Sequence, residues 1–395
     1  MINPKMLELG SRRSTIRELF EYGKMLKAER GEENVCDFSL GNPSTPPPRA
    51  LTEALEGLIR ETEPCTLHGY SSAQGHADVR AAVANDLATR YGAKISPDRI
   101  YMTCGAAASL TIALRSLVCE NGERILTQAP FFPEYRVFVE GVGGILDVAD
   151  AKTDDFDLNV PDIAAKITTE TRAVIINSPN NPTGVIYSEA SLVALSELLK
   201  KCSAEYGHPI YIISDEPYRE LTYGKNVPYL PDIYGDTLIC YSYSKSLSLP
   251  GERIGYIAIP ETVTDGDMLY AAVCGSGRAL GYVCAPTLMQ RAVAACVGEK
   301  PSLDAYRKNR DELYAALTVM GYRCIIPDGA FYLFVEAPGG DAVAFSNKAK
   351  EIGLLVVPSD DFGCKGYIRV SYCVSNDTVR RSFAAFGQVK ELFND

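Results

Sequence analysis

Histidine is scarce: the 395-residue chain has only three, His68, His76 and His208. They form no metal-ligand spacing, which argues against a zinc or non-haem iron centre. No C-x-x-C pair occurs among the twelve cysteines. Several of them, such as Cys240 in "TLICY" and Cys284 in "GYVCAP", sit inside apolar runs. They read as buried, reduced thiols of a cytosolic protein. No run of 18 apolar residues exists, so no segment reads as a membrane span. The opening "MINPKMLELGSRR" has no apolar core behind basic residues, so it does not read as a secretory signal. A cytoplasmic location is the expectation. An excess of positive charge is missing too: 50 acidic residues face 39 basic ones, a formal charge of -11. That argues against a broad nucleic-acid or anionic-membrane surface. It leaves room for a local basic pocket that holds one small anion.

What is present is ordinary globular material, 46% apolar and 23% charged. The length suits two or three domains with a large core. Apolar periodicity predicts helices over 14–30, 49–60, 75–92 and 105–119. "VCDFSLGNPSTPPP" runs extended into a Pro-rich turn. From about 122 to 260, short apolar runs alternate with helical stretches. That rhythm predicts an α/β layer with a mostly parallel sheet. Past 285 the pattern changes: a long helix is predicted over 286–320, and others over 341–352 and 376–392. Between them lie the strand-like "GAFYLFVEAP", "LLVVPSDDFG" and "GYIRVSYC". We therefore expect a large domain over 49–285 and a smaller α+β domain built from 1–48 and 286–395.

Ligands of such sheets gather at the carboxyl ends of the strands. After "AVII" comes Asn177-Ser178-Pro179-Asn180-Asn181-Pro182-Thr183-Gly184. After "IYII" comes Ser214-Asp215-Glu216-Pro217-Tyr218, and after "TLICY" comes Ser242-Tyr243-Ser244-Lys245. Each alone has a plain reading: a good turn, a common D-x-x-Y, a loop with a solvated lysine. Three in succession offer an amide, a carboxylate with a phenol, and hydroxyls with a lysine.

Residues 242–255, "SYSKSLSLPGERIG", fit the lysine-site signature of the class I/II aminotransferases at every position. The chain resembles that family, and its aspartate and aromatic aminotransferases in particular, from "SLGNP" at 39–43 to "YIRVSY" at 367–372. The resemblance implies a fold-type I pyridoxal phosphate (PLP) enzyme. Its large domain would hold a mostly parallel seven-stranded sheet flanked by helices, beside a smaller α+β domain. By the same resemblance Lys245 is the Schiff-base lysine, whose freed amine then carries the proton at the substrate Cα. Arg253, Ser242 and Ser244 would hold the cofactor phosphate, helped by the backbone of Gly105-Ala106-Ala107. Asp215 would pair with the pyridine nitrogen, Tyr218 and Asn181 with the 3′ oxygen, and Phe132 would stack on the ring. Arg369 would clamp the substrate α-carboxylate, with Gly41, Asn42 and Asn181 beside it. Tyr70 would reach the phosphate of a partner subunit, giving a homodimer with shared sites.

The implied reaction moves the amino group of an L-amino acid to a 2-oxo acid by a ping-pong mechanism. The expected donor is aspartate-like or of broad range; Ala107 stands where an aspartate-specific subgroup of the family carries a lysine, which argues against strict aspartate specificity. Arg278, in "CGSGRALGY", reads as a loop arginine, aimed either at a partner's site or at solvent. Phe331 and Tyr332 read as core or pocket wall. A PLP-dependent carbon–sulfur β-lyase would use the same residues, and so would a PLP-binding regulator without turnover. No appended helix-turn-helix domain supports the regulator, and the net charge is wrong for it.

Overall fold

Apolar runs between helices place a sheet where both of its faces are covered. The computed structural model describes residues 2–11 and 14–393. Met1, residues 12–13 and residues 394–395, which belong to the expected small domain and the opening stretch, lie outside the described residues. Seven strands form the main sheet: β1 (Ile100–Thr103), β2 (Arg124–Gln128), β3 (Ile145–Ala149), β4 (Thr171–Asn177), β5 (Tyr211–Asp215), β6 (Thr237–Ser242) and β7 (Gly255–Ala258). Their spatial order is β1-β7-β6-β5-β4-β2-β3. The pairs from β6 through β3 are parallel, and β7 runs antiparallel to both β6 and β1. The sheet is therefore mixed but mostly parallel, as expected.

Strand alternation sorts the side chains onto two faces. Ile175, Ile213, Leu238 and Ile257 join the cluster of Ile112, Ala113 and Leu114, from the helix Ala106–Leu117. Val174, Ile176 and Ile212 join the opposite cluster with Leu192, Leu195 and Leu199 of the helix Glu189–Tyr206. Each such side chain contributes roughly 1.5–3 kcal/mol by leaving water. A charge placed on either face would have no solvated direction to turn to.

The second part of the chain holds an antiparallel sheet of β8 (Tyr332–Glu336), β9 (Val357–Pro358) and β10 (Tyr367–Ser371), in the order β9-β10-β8. Cys36–Asp37 pairs in parallel with Leu354–Leu355, which ties the N-terminal segment to this part. Phe38 packs there with Leu313, Leu317, Phe345, Val379 and Phe386.

The helix predicted over 286–320 is two helices, Thr287–Ala294 and Asp304–Val319. Gly298 and Pro301 lie in the interval, where a continuous helix loses propensity and a backbone donor. Met289, Ala292 and Val293 pack with Val79 and Val83 against the main sheet. We propose the expected division of the chain with its second boundary placed in the 295–303 connection. Arg278 belongs to the last turn of the helix Gly266–Ala279, not to a loop. Gly277 is tolerated in that helix for a packing reason: a Cβ there would overlap the Tyr101 hydroxyl. All twelve cysteines are free, but the expected burial holds only in part: Cys240 is buried, Cys284 is half-buried, and Cys65 and Cys119 are exposed. Among the described residues no helix is long and apolar enough to cross a membrane, and no group of three or more His, Cys, Asp or Glu is placed to hold a metal ion.

Candidate active site

Register brings the strand ends together: Asn177 at the end of β4 lies opposite Asp215 at the end of β5. With the end of β6 they open on one cavity of about 280 Å³. Lys245 follows β6 in a single turn, Tyr243–Ser246. Ser242 starts that turn, its Oγ accepting from the Ser244 N–H at 3.3 Å. The Lys245 Nζ donates to the Gly41 carbonyl at 2.6 Å. Loss of solvation draws the Lys245 amine down to about 8; the guanidiniums of Arg253 and Arg369 push the same way and Cys373 opposes them.

Asp215 is 4% exposed. Its Oδ2 accepts from the Tyr135 hydroxyl at 2.5 Å, while its Oδ1 has no partner among the described residues. Burial raises its carboxyl to about 7, against the pull of the Tyr135 bond. The Asn177 amide donates to the Asp215 carbonyl at 2.9 Å and accepts from the Asn181 N–H at 2.8 Å. One side chain thus fixes the backbone of two strand ends.

The two ends of the cavity are cationic. At one, Arg253 adopts φ 53°, a strained value for a residue with a side chain. Its guanidinium lies so close to Gly105 that a Cβ there would sit 2.7 Å from Nη2. Arg253 Nη1 donates to the Pro250 carbonyl at 2.9 Å and reaches Ser244 Oγ at 3.4 Å; the Ser242 and Ser244 hydroxyls are 2.8 Å apart. Gly105, at φ 86°, opens the helix Ala106–Leu117, whose first N–H groups are unpaired by construction. A guanidinium, two hydroxyls and a helix start make an anion cradle.

At the other end Arg369 is 2% exposed. It donates to Asn181 Oδ1 at 3.1 Å and to the Ser39 carbonyl at 2.7 Å, so neither bond goes to a carboxylate. Its Nε is buried without a partner among the described residues. The guanidinium lies over the rings of Tyr332 and Phe362, at 4.7 and 5.2 Å from their centroids. Burial lowers its pKa. A buried guanidinium without a counter-charge among the described residues calls for an anion in the adjoining space. Between the two ends, the Tyr218 and Tyr332 hydroxyls are 2.7 Å apart, and burial holds the Tyr218 phenol well above its ordinary pKa.

Of the residues singled out from sequence, Gly41, Ala106, Ala107, Phe132, Asn181, Asp215, Tyr218, Ser242, Ser244, Lys245, Arg253 and Arg369 line this cavity. Gly105 backs it through its contact with Arg253. Asn42 and Tyr70 do not line it: Asn42 stands outside the lining and Tyr70 is 89% exposed. Tyr332 proves to be cavity wall, while Phe331 is core. Sequence reasoning gives no role to Tyr135, although it stands three residues after Phe132 in "APFFPEY". It also misses Ile16, a cavity residue from the N-terminal helix Thr15–Arg30. Nothing local marks that residue, because its position depends on how a distant segment docks.

An amine and a buried carboxylate at strand ends of the mostly parallel sheet, between Arg253 at one end and Arg369 of the antiparallel sheet at the other, make a site that sets a reactive amine beside places for anions. Residues 33–386 match the family model described as aminotransferase class I and II. A probable aspartate/prephenate aminotransferase of Aquifex aeolicus is 30% identical over 364 residues, 87% of this chain and 88% of that one. A solved amino transferase from Eubacterium rectale is 50% identical, covers all of both chains and superposes with a TM-score of 0.97. The aspartate aminotransferase of Thermotoga maritima is 27% identical across both whole chains, with a TM-score of 0.87. This chain belongs to the class I and II aminotransferase family. It is a PLP-dependent aminotransferase of the fold-type I architecture.

The cavity fits that cofactor. The unpartnered Asp215 Oδ1 offers an acceptor for a protonated ring nitrogen. The cradle around Gly105 admits an anion only because no Cβ fills it. Lys245 presents an amine in the same space.

Proposed function

We propose that the residues of this cavity divide the transamination of an L-amino acid as follows. When bound, PLP supplies an aldehyde that takes up amines and a ring that draws electron density from the substrate Cα. Arg253, Ser242, Ser244 and the backbone of Gly105, Ala106 and Ala107 hold its phosphate. Phe132 packs on the ring face. Asp215 holds the pyridine nitrogen protonated, and the carboxylate becomes the favoured form once that cation lies beside it. Tyr218 and Asn181 donate to the 3′ oxygen. Arg369 receives the α-carboxylate in a fork that matches its geometry. Gly41 borders that carboxylate, while Asn42, outside the lining, takes no part in holding it. Lys245, with an amine pKa of about 8, is partly neutral at physiological pH and moves the proton at the substrate Cα. The observation that carries this reading is that one cavity with an arginine at either end is lined by both the Lys245 amine and the half-satisfied Asp215 carboxylate.

The wall also speaks to the substrate. Among the described residues Lys245, Arg253 and Arg369 are the cations of the lining, and each is already engaged in this scheme. Ile16, Leu40, Ala107 and Leu110 are apolar. Among the described residues the lining thus reserves no cation of its own for a distal carboxylate, which favours broad over strictly dicarboxylic specificity. We further propose a cytoplasmic homodimer in which Tyr70 crosses to the partner's phosphate. The test is a panel of L-aspartate, L-alanine and an aromatic amino acid with 2-oxoglutarate, beside L-cystathionine alone. Glutamate from several donors supports the proposal. Pyruvate and thiol from cystathionine without glutamate formation refute it in favour of a β-lyase.

A further inference from the structure

Tyr332 occupies a place that the scheme above does not use. Its hydroxyl is 2.7 Å from that of Tyr218, its ring lies 4.7 Å from the Arg369 guanidinium, and it lines the cavity between them. Gly41 presses on the same hydroxyl so closely that a Cβ would overlap it, and the Gly41 carbonyl accepts from Lys245. The phenol is therefore fixed from two sides. We propose that Tyr332 is a positioning residue that joins the 3′-oxygen donor to the carboxylate clamp. The proposal rests on the roles assigned to Tyr218 and Arg369.

The chemistry follows from counting protons. A phenol has one O–H to give. If Tyr218 donates its proton to the 3′ oxygen, the Tyr218–Tyr332 bond has to run the other way. Tyr332 then donates to the Tyr218 oxygen. A donor that itself accepts a hydrogen bond is polarised and becomes a stronger donor, more so in a site shielded from water. The ring of Tyr332 acts separately, because its face supports the planar Arg369 guanidinium in the orientation that receives a carboxylate. The hydroxyl thus acts on the cofactor side and the ring on the substrate side.

Two variants separate these effects. Tyr332→Phe keeps the ring and removes the hydroxyl. We expect kcat to fall about 10-fold, the scale of one hydrogen bond, with KM unchanged. We also expect the pH midpoint of the cofactor's visible absorption band in the resting holoenzyme to rise, because a weaker donor stabilises charge on the 3′ oxygen less. Tyr332→Leu removes the ring too, and should in addition raise KM for every amino acid. The double variant Tyr218→Phe/Tyr332→Phe should show the midpoint of Tyr218→Phe alone, since the relay acts only through Tyr218. A wild-type midpoint and kcat in Tyr332→Phe would overturn the proposal, and so would shifts that simply add in the double variant. If Tyr218→Phe itself leaves the midpoint unmoved, the proposal falls with the role of Tyr218, while labelling of Lys245 would still sustain the aminotransferase scheme.

Discussion

Asp215→Asn puts the electrostatics of the site to a quantitative test. Burial raises this carboxyl from 3.8 to about 7 in the cofactor-free chain. That is roughly a thousandfold change in proton affinity, or about 4 kcal/mol. The sign follows from linkage. A folded pKa above the unfolded one gives a contribution fully present below 3.8 and lost as the pH rises through about 7. Above that, the buried carboxylate is charged and its Oδ1 has no partner among the described residues. Asparagine has the same shape, still accepts from Tyr135 and never ionises. The apoenzyme variant should therefore be more stable than the apo wild type at pH 8, by up to about 4 kcal/mol. For a chain of this length that is about 5 °C in Tm. The gap should narrow to about 2 kcal/mol at pH 5, where the folded carboxyl stays protonated and the cost is set only by how far the pH lies above 3.8. Scanning calorimetry at pH 5 and pH 8, at one protomer concentration, reads it directly. Saturating the wild type with PLP should close the gap, while the variant loses nearly all turnover. Equal Tm values at both pH values, or a more stable wild type at pH 8, would refute the reasoning.

Further outcomes bear on the rest of the site. Arg369→Lys should lower kcat/KM for all amino acids alike, roughly 30-fold or more, because a forked charged bond to a group common to every substrate is lost; steady-state kinetics on three donors check this, and an effect confined to dicarboxylic substrates would move Arg369 to side-chain recognition. Gly41→Ala should cost about 10-fold or more in kcat, at least the loss expected of Tyr332→Phe, since its Cβ displaces the Tyr332 hydroxyl; wild-type kinetics would count against a fixed Tyr332. Refolding Lys245→Ala with Tyr70→Ala should give activity above both parents, because one site of a heterodimer receives both intact residues. Activity equal to the parents' average, with heterodimers present, would leave Tyr70 a local residue.

The main sheet is legible in the sequence because its strands are short apolar runs between helical patterns, and such runs have few other places to go. The strand-end residues follow from it: Asn177, Asp215 and Lys245 are local to strands whose ends converge. Two features lie beyond local reading. Apolar periodicity continues across a break in the 286–320 stretch, although "VGEKPSL" carries both a glycine and a proline. Arg278 reads as loop because Gly275 and Gly277 weaken helix propensity, yet close packing on Tyr101 is what a glycine at 277 permits. The contacts that finish the site are long-range. Tyr135 on Asp215, Tyr332 on Tyr218 and Ile16 in the cavity wall join segments 80 or more residues apart or bring in the N-terminal helix. No spacing in the sequence encodes them.

Everything proposed for this cavity depends on Lys245 being the amine that holds the cofactor. The most direct measurement is to reduce the purified holoenzyme with borohydride, digest it and map the peptide that carries the pyridoxyl group by mass spectrometry. We expect the label on Lys245, within "SYSKSLSLPGER", and loss of the labelled peptide in Lys245→Ala. A label on any other lysine, or a Lys245→Ala variant that still forms glutamate from an amino acid and 2-oxoglutarate at wild-type rate, would contradict it.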